Sequence, residues 1–161
     1  MRTILLLLSL VLLCGAGFAQ EKANFTGTWT LDKEKSFSNG PQFDQSMTID
    51  HSGDKLKLDA KQKTPRGEVA IHEEYAIDGK EGGYTPQGAT PNMTGKRKVS
   101  WLPNGRGILV EDEISTDGKV VRNITRKMAL SADGKSMLVD LFIDDNRGSF
   151  EQKRVYNKAT M

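Results

Sequence analysis

The sequence predicts an all-β fold, an antiparallel up-and-down meander of eight to ten strands closed into a barrel. Three observations predict it. From Thr26 onward, runs rich in β-branched and aromatic residues alternate with period two. The runs are punctuated by Asn39-Gly40, Ser52-Gly53-Asp54, Asp78-Gly79, Asn104-Gly105, Asp117-Gly118, Asp133-Gly134 and Asn146-Arg147-Gly148, several of which accept the positive φ angles of tight hairpin turns. Nothing from Thr26 on carries a helical period. Strands joined by such short turns lie antiparallel and adjacent, and a long meander removes its exposed edges most simply by closing on itself.

Between the turn signals, strands are expected at 26–32, 44–51, 55–63, 67–77, 95–102, 107–116, 119–131, 135–144 and 148–157. Alternation assigns their faces. In the first, Phe25, Gly27, Trp29 and Leu31 share one side and the threonines the other. In the sixth, Ile108, Val110 and Ile114 oppose Glu111 and Glu113. The apolar sets are read as the barrel interior. Residues 79–95 break the rhythm, with Gly82-Gly83, Pro86, Gly88 and Pro91 around only Tyr84 and Met93 as bulky anchors. So long a connection is a lid or a plain excursion. Residues 36–43 form the other irregular link.

The fold is preceded by a targeting segment, dividing the chain into a signal peptide at 1–19 and one barrel domain at 20–161. Arg2 gives a positive start, Ile4 to Leu13 an apolar run too short to span a bilayer, and Gly17-Phe18-Ala19 small residues where a signal peptidase reads. The protein is therefore expected outside the cytoplasm, periplasmic or secreted, with no stable membrane insertion. Cys14 is the single cysteine. It would be a lipoprotein anchor if a small residue preceded it, but Leu13 does, so the thiol is read as discarded with the signal. A cysteine-free exported domain suits a bacterium better than an animal. Sequons at Asn24, Asn92 and Asn123 would matter only in a eukaryotic secretory pathway. With 23 Lys and Arg against 21 Asp and Glu, the charge is too balanced for broad attraction to nucleic acid or anionic membrane.

Two segments carry a resemblance. Asn24-Phe25-Thr26-Gly27-Thr28-Trp29-Thr30-Leu31 contains the Gly-x-Trp pattern that opens the first strand of calycins, the lipocalin and fatty-acid-binding protein superfamily. Lys153-Arg154-Val155-Tyr156-Asn157-Lys158 is similar to the last strand of fatty-acid-binding proteins, whose Arg-x-Tyr pair reaches a fatty-acid carboxylate. The resemblance implies a calycin-like barrel with Arg154 and Tyr156 directed inward. It departs from both branches: residues 36–43 are too few for the two-helix lid, and no helix follows the barrel. The layout resembles small bacterial lipocalin-like proteins, for which the likeness implies a fold and no ligand. In calycins an arginine can lie over the Gly-x-Trp indole and tie the first and last strands together, which would make Trp29 and Arg154 a closure pair.

Parity points further cations inward. Val120, Arg122, Ile124, Arg126, Met128 and Leu130 share a face of the seventh expected strand, and Phe150, Gln152, Arg154 and Tyr156 a face of the last. Buried guanidinium groups need carboxylates such as Asp112, trapped water or an anionic ligand. Arg122, Arg126, Arg154 and Tyr156 are thus the candidate ligand-binding residues, orienting the acidic head of a small hydrophobic or amphipathic molecule. One β-bulge in 119–131 would instead turn Arg122 and Arg126 outward.

Enzyme readings find no support. There are two histidines, His51 beside a turn and His72 on a face with Glu68 and Glu74, so no histidine-rich metal site assembles, and no catalytic or cofactor motif occurs. Glu73-Glu74 and Asp144-Asp145 alternate across strand faces, and Lys96-Arg97-Lys98 is read as a solubilising run with Val99 and Trp101 inward. The expected function is extracytoplasmic binding or carriage of a small hydrophobic or amphipathic ligand, without cofactor or metal. The alternative is a protein-interaction or inhibitor module with a solid core. A pocket of ~300 Å³ or more lined by the named arginines separates the two.

Overall fold

The computed structural model describes residues 22–40 and 44–160. The segment read as a signal peptide, Cys14 and Phe43 lie outside them. Ten strands succeed one another: β1 (Gly27–Ser38), β2 (Gln45–Ser52), β3 (Lys55–Thr64), β4 (Gly67–Ala76), β5 (Glu81–Tyr84), β6 (Met93–Trp101), β7 (Gly107–Thr116), β8 (Lys119–Leu130), β9 (Ser136–Asp145) and β10 (Gly148–Lys158). They form a single antiparallel sheet in the order β4-β3-β2-β1-β10-β9-β8-β7-β6-β5, and no helix occurs among the described residues.

Eight of the nine expected strands lie within two residues of their expected bounds. The first runs further, to Ser38, because a bulge between Asp32 and Phe37 absorbs the charged stretch that breaks its alternation. Ser36 seals that bulge: its hydroxyl accepts a hydrogen bond from the Val155 amide at 2.9 Å and donates one to the Asp32 carbonyl at 2.5 Å. The tenth strand, β5, falls inside the connection expected at 79–95.

The first and last strands, β1 and β10, zip together, with Trp29 opposite Lys158 and Leu31 opposite Tyr156. The barrel is nevertheless not closed, which corrects the expectation. β4 and β5 are the sheet's two edges and do not pair. After β4 the chain is drawn away from its own edge: the Asp78 carboxylate caps the Lys80 amide at 2.9 Å, and the Gly79 amide, at φ 71°, donates to the Val99 carbonyl of β6 at 2.9 Å. A hairpin between β4 and β5 is thereby replaced by a crossing onto β6. The result is a curled half-barrel.

Each inward row grades from buried to half-exposed in one direction. On β8 the series runs Leu130, Met128, Arg126, Ile124, Arg122; on β10 Tyr156, Arg154, Gln152, Phe150; on β4 Tyr75, Glu73, Ile71, Val69. The sealed end is built on Phe25 and Trp29, both 0% exposed, with the indole Nε1 donating to the Phe25 carbonyl at 3.0 Å. The half-exposed end carries the turns 64–67, 116–119 and 145–148 and is the mouth.

Candidate functional site

The site is set by the inner row of β8. A bulge does occur, between Ile114 and Ser115 of β7, which pair with Arg122 and Val120 and leave Val121 unmatched. It lies mouthward of Arg122, so it expels Val120, now 51% exposed, while Arg122 and Arg126 keep their inward parity. The expected inner set thus loses Val120 and keeps the rest.

Arg122 stands at the rim, its Nη2 3.2 Å from the Asp145 carboxylate, which also pairs with Arg147 at 2.7 Å. Hydrogen bonds from Arg147, with both guanidinium charges, hold the Asp145 pKa down at about 2. Arg126 lies deeper and donates to the Tyr75 hydroxyl. Arg154 pairs in register with Val139, and Val139 with Met128, so it sits one inward step below Arg126. Its Nη1 donates to Gln45 Oε1 at 2.6 Å and its Nη2 to Gln152. The Tyr156 hydroxyl donates to the same Gln45 oxygen at 2.5 Å, and burial raises the phenol's pKa.

The cation over Trp29 is Lys158, 5.4 Å from the ring centroid, not Arg154. The register explains the exchange. Lys158 is the residue directly opposite Trp29, whereas Arg154 is displaced toward the cavity and held there by two amides.

Asp112, considered as a partner for these arginines, is taken by one assigned to the surface. Arg97 is 9% exposed, with Nε 2.6 Å and Nη2 2.8 Å from the two Asp112 oxygens and Nη1 2.5 Å from Glu73 of β4. Its guanidinium stacks on Tyr84 at 4.0 Å and Tyr75 at 4.9 Å. Burial works against its charge, but the hydrogen bonds to Asp112 and Glu73 outweigh this and the pKa rises. This cluster joins β4 to β5, β6 and β7 where backbone pairing is missing. The signal was present in parity, since Gly95, Arg97, Val99 and Trp101 share a face, as do Ile71, Glu73, Tyr75 and Ile77.

Two chambers result. The inner, about 180 Å³, is walled by Met47, Leu58, Met128, Val139 and Leu141 and contains Gln45, Arg126, Arg154 and Tyr156. The outer, about 430 Å³, contains Arg122, Arg126, Arg97 and Asp112 with Ile114, Ile124 and Met93. Ile71, Glu73 and Arg126 line both. Pro86, Gln87 and Gly88 of the 85–92 connection wall the outer chamber, and Gln87 Nε2 donates to the Ala70 carbonyl of β4 at 2.9 Å, spanning the unpaired edges. Among the described residues, Arg126 and Arg154 have no carboxylate at ion-pair distance; Glu73 and Asp112 serve Arg97, and Asp145 serves Arg122 and Arg147.

Comparison with solved structures decides the architecture. Zebrafish ileal bile acid-binding protein, solved with cholic acid, superposes with a TM-score of 0.54 at 16% identity, over 84% of this chain and 98% of its own. The fold is calycin-like. A Schistosoma mansoni fatty acid binding protein, solved with arachidonic acid, gives 0.53 at 11% identity over 84% and 96% of the two chains. Secretory abundant heat soluble protein 4 from Ramazzottius varieornatus gives 0.54 at 12% over 88% and 100%. No protein-family model and no curated protein sequence matches the chain.

Proposed function

We propose that the half-barrel binds a small amphipathic molecule carrying one acidic group, with the acid between Arg154, Tyr156 and Arg126 and the body along the apolar wall toward the mouth. The observation that carries this reading is the pair of cavity-lining guanidinium groups, Arg126 and Arg154, satisfied only by neutral oxygens. Glu73 and Asp112 act on Arg126 only at longer range, neither guanidinium has a carboxylate hydrogen-bonded to it, and an anionic ligand would supply one. The Arg97 cluster holds one cation and two carboxylates, so the lumen as a whole favours a monoanion. An inner chamber of about 180 Å³ is comparable to an engineered cavity of ~150 Å³ that accepts benzene, so a longer body must extend into the outer chamber.

The solid-core alternative is disfavoured by that interior space: the outer chamber, at about 430 Å³ and lined by Arg122 and Arg126, exceeds the volume that separates the readings. Two of the structurally similar proteins are binding proteins with amphipathic acids in place, which supports a binding rather than a catalytic role. Carriage outside the cytoplasm rests on residues 1–19 alone. Isothermal titration with decanoate and decanol tests the proposal. Decanoate is expected to bind at least about tenfold tighter, a preference that R154Q and R126Q each reduce. Equal affinity for acid and alcohol would refute it.

A further inference from the structure

Gln45 occupies an unusual position. Its single amide oxygen receives both Arg154 Nη1 at 2.6 Å and the Tyr156 hydroxyl at 2.5 Å, the two donors that the acid-binding reading assigns to a ligand. A primary amide and a carboxylate are both planar, three-atom groups that present an oxygen to a donor pair in the same way. The amide is neutral, however, and leaves the guanidinium charge uncompensated, whereas a carboxylate forms stronger charge-assisted bonds to the same donors.

The side chain also has somewhere to go. Gln45 is the first residue of β2, and the β1–β2 ladder ends beside it at Thr30 and Ser46. On the exterior, a hollow of about 240 Å³ also borders Gln45. The residue is half-buried, and its backbone is unpaired toward β1 but paired with Gln62 of β3, so the amide leaves the two donors by rotation about its side-chain bonds with that pairing kept.

We propose that Gln45 is a displaceable internal stand-in for the ligand's acid group. In the free protein it satisfies Arg154 and Tyr156, and it must leave before a carboxylate can bind. It therefore weakens binding of every ligand whose head takes these two donors, in proportion to the fraction of molecules in which the site is left free. This rests on the acid-binding reading of the cavity and adds to it the residue that sets the threshold for binding.

Titrating wild-type, Q45A and Q45E protein with decanoate and decanol tests it. If nine molecules in ten are self-occupied, Q45A binds decanoate about tenfold tighter. Q45E places a tethered carboxylate on the donors and is expected to weaken decanoate about a hundredfold, with decanol unchanged. Unchanged or weaker decanoate binding by Q45A, or wild-type affinity in Q45E, would overturn the role of Gln45 while leaving the acid-binding reading intact. Equal decanoate and decanol affinity in wild-type and Q45A would remove both.

Discussion

Arg97 and Arg122 show how the same residue type takes opposite roles at two depths of one sheet. Arg97 is bound by two carboxylates in a nearly closed site, so R97A leaves Glu73 and Asp112 facing each other unpaired. Breaking a buried pair costs about 3–5 kcal/mol, and R97A should lose that much in urea unfolding. The Arg122 side chain is 40% exposed at the rim, and R122A should cost less than about 1 kcal/mol. His51 offers a second test at this scale. Its Nδ1 accepts the Phe25 amide at 3.3 Å, its Nε2 has no partner among the described residues, and burial lowers its pKa below 6.5. The folded state thus resists protonation more than the unfolded one. The stability this gives is present above about pH 6.5 and is lost as pH falls below it. Unfolding of wild-type protein should show that acid slope between pH 7 and 5, and H51Q should flatten it. Alternation reads Arg122, Arg126 and Arg154 as inward, whereas Arg97 is hidden in a basic run that looks solvated, and the partners of all four are not legible. Parity states which face a side chain takes, whereas Arg97 to Glu73 and Arg126 to Tyr75 are contacts across the lumen, between strands far apart in the chain.

The elements that sequence reading placed well are those in hairpins, where turn chemistry and alternation agree. β5 was missed because Glu81-Gly82-Gly83-Tyr84 has neither β-branched residues nor alternation. Its pairing is supplied by β6, with Tyr84 opposite Gly95. Gly95 is what lets the Tyr84 ring lie flat against β6: a Cβ there would sit 2.5 Å from the ring's Cε1. G95A should therefore push the ring off Arg97, destabilising the fold by about 1–2 kcal/mol. It should also let the Tyr84 phenol, raised by burial to about 12, titrate nearer its ordinary value. Ultraviolet titration of the three tyrosines reads this directly. A bulge within 119–131 is expected to turn Arg122 and Arg126 outward, and the one at Val121 does not, because it lies on the mouth side of both. Sequence alternation is blind to where an extra residue is absorbed, and here one residue's shift decides whether two arginines face the lumen.

At the scale of the molecule, a meander joined at its ends by Trp29 and Lys158 still leaves one seam unzipped, between β4 and β5. Side chains close what backbone does not: the Arg97 cluster ties the two sides within, and Gln87 spans them at the mouth. A lumen assembled in this way is polar at the seam and apolar opposite, and two of its guanidiniums, Arg126 and Arg154, donate only to neutral oxygens. Those features together define a container for an acid with an apolar body. The most direct test is carbon-13 NMR of carboxyl-labelled decanoate in the complex, titrated with pH. With its head on Arg154 and Arg126, the bound carboxyl should stay ionised to lower pH than free decanoate, and R154Q should return it toward the free value. A bound carboxyl that titrates at or above the free value would place the head away from the guanidiniums and contradict the account.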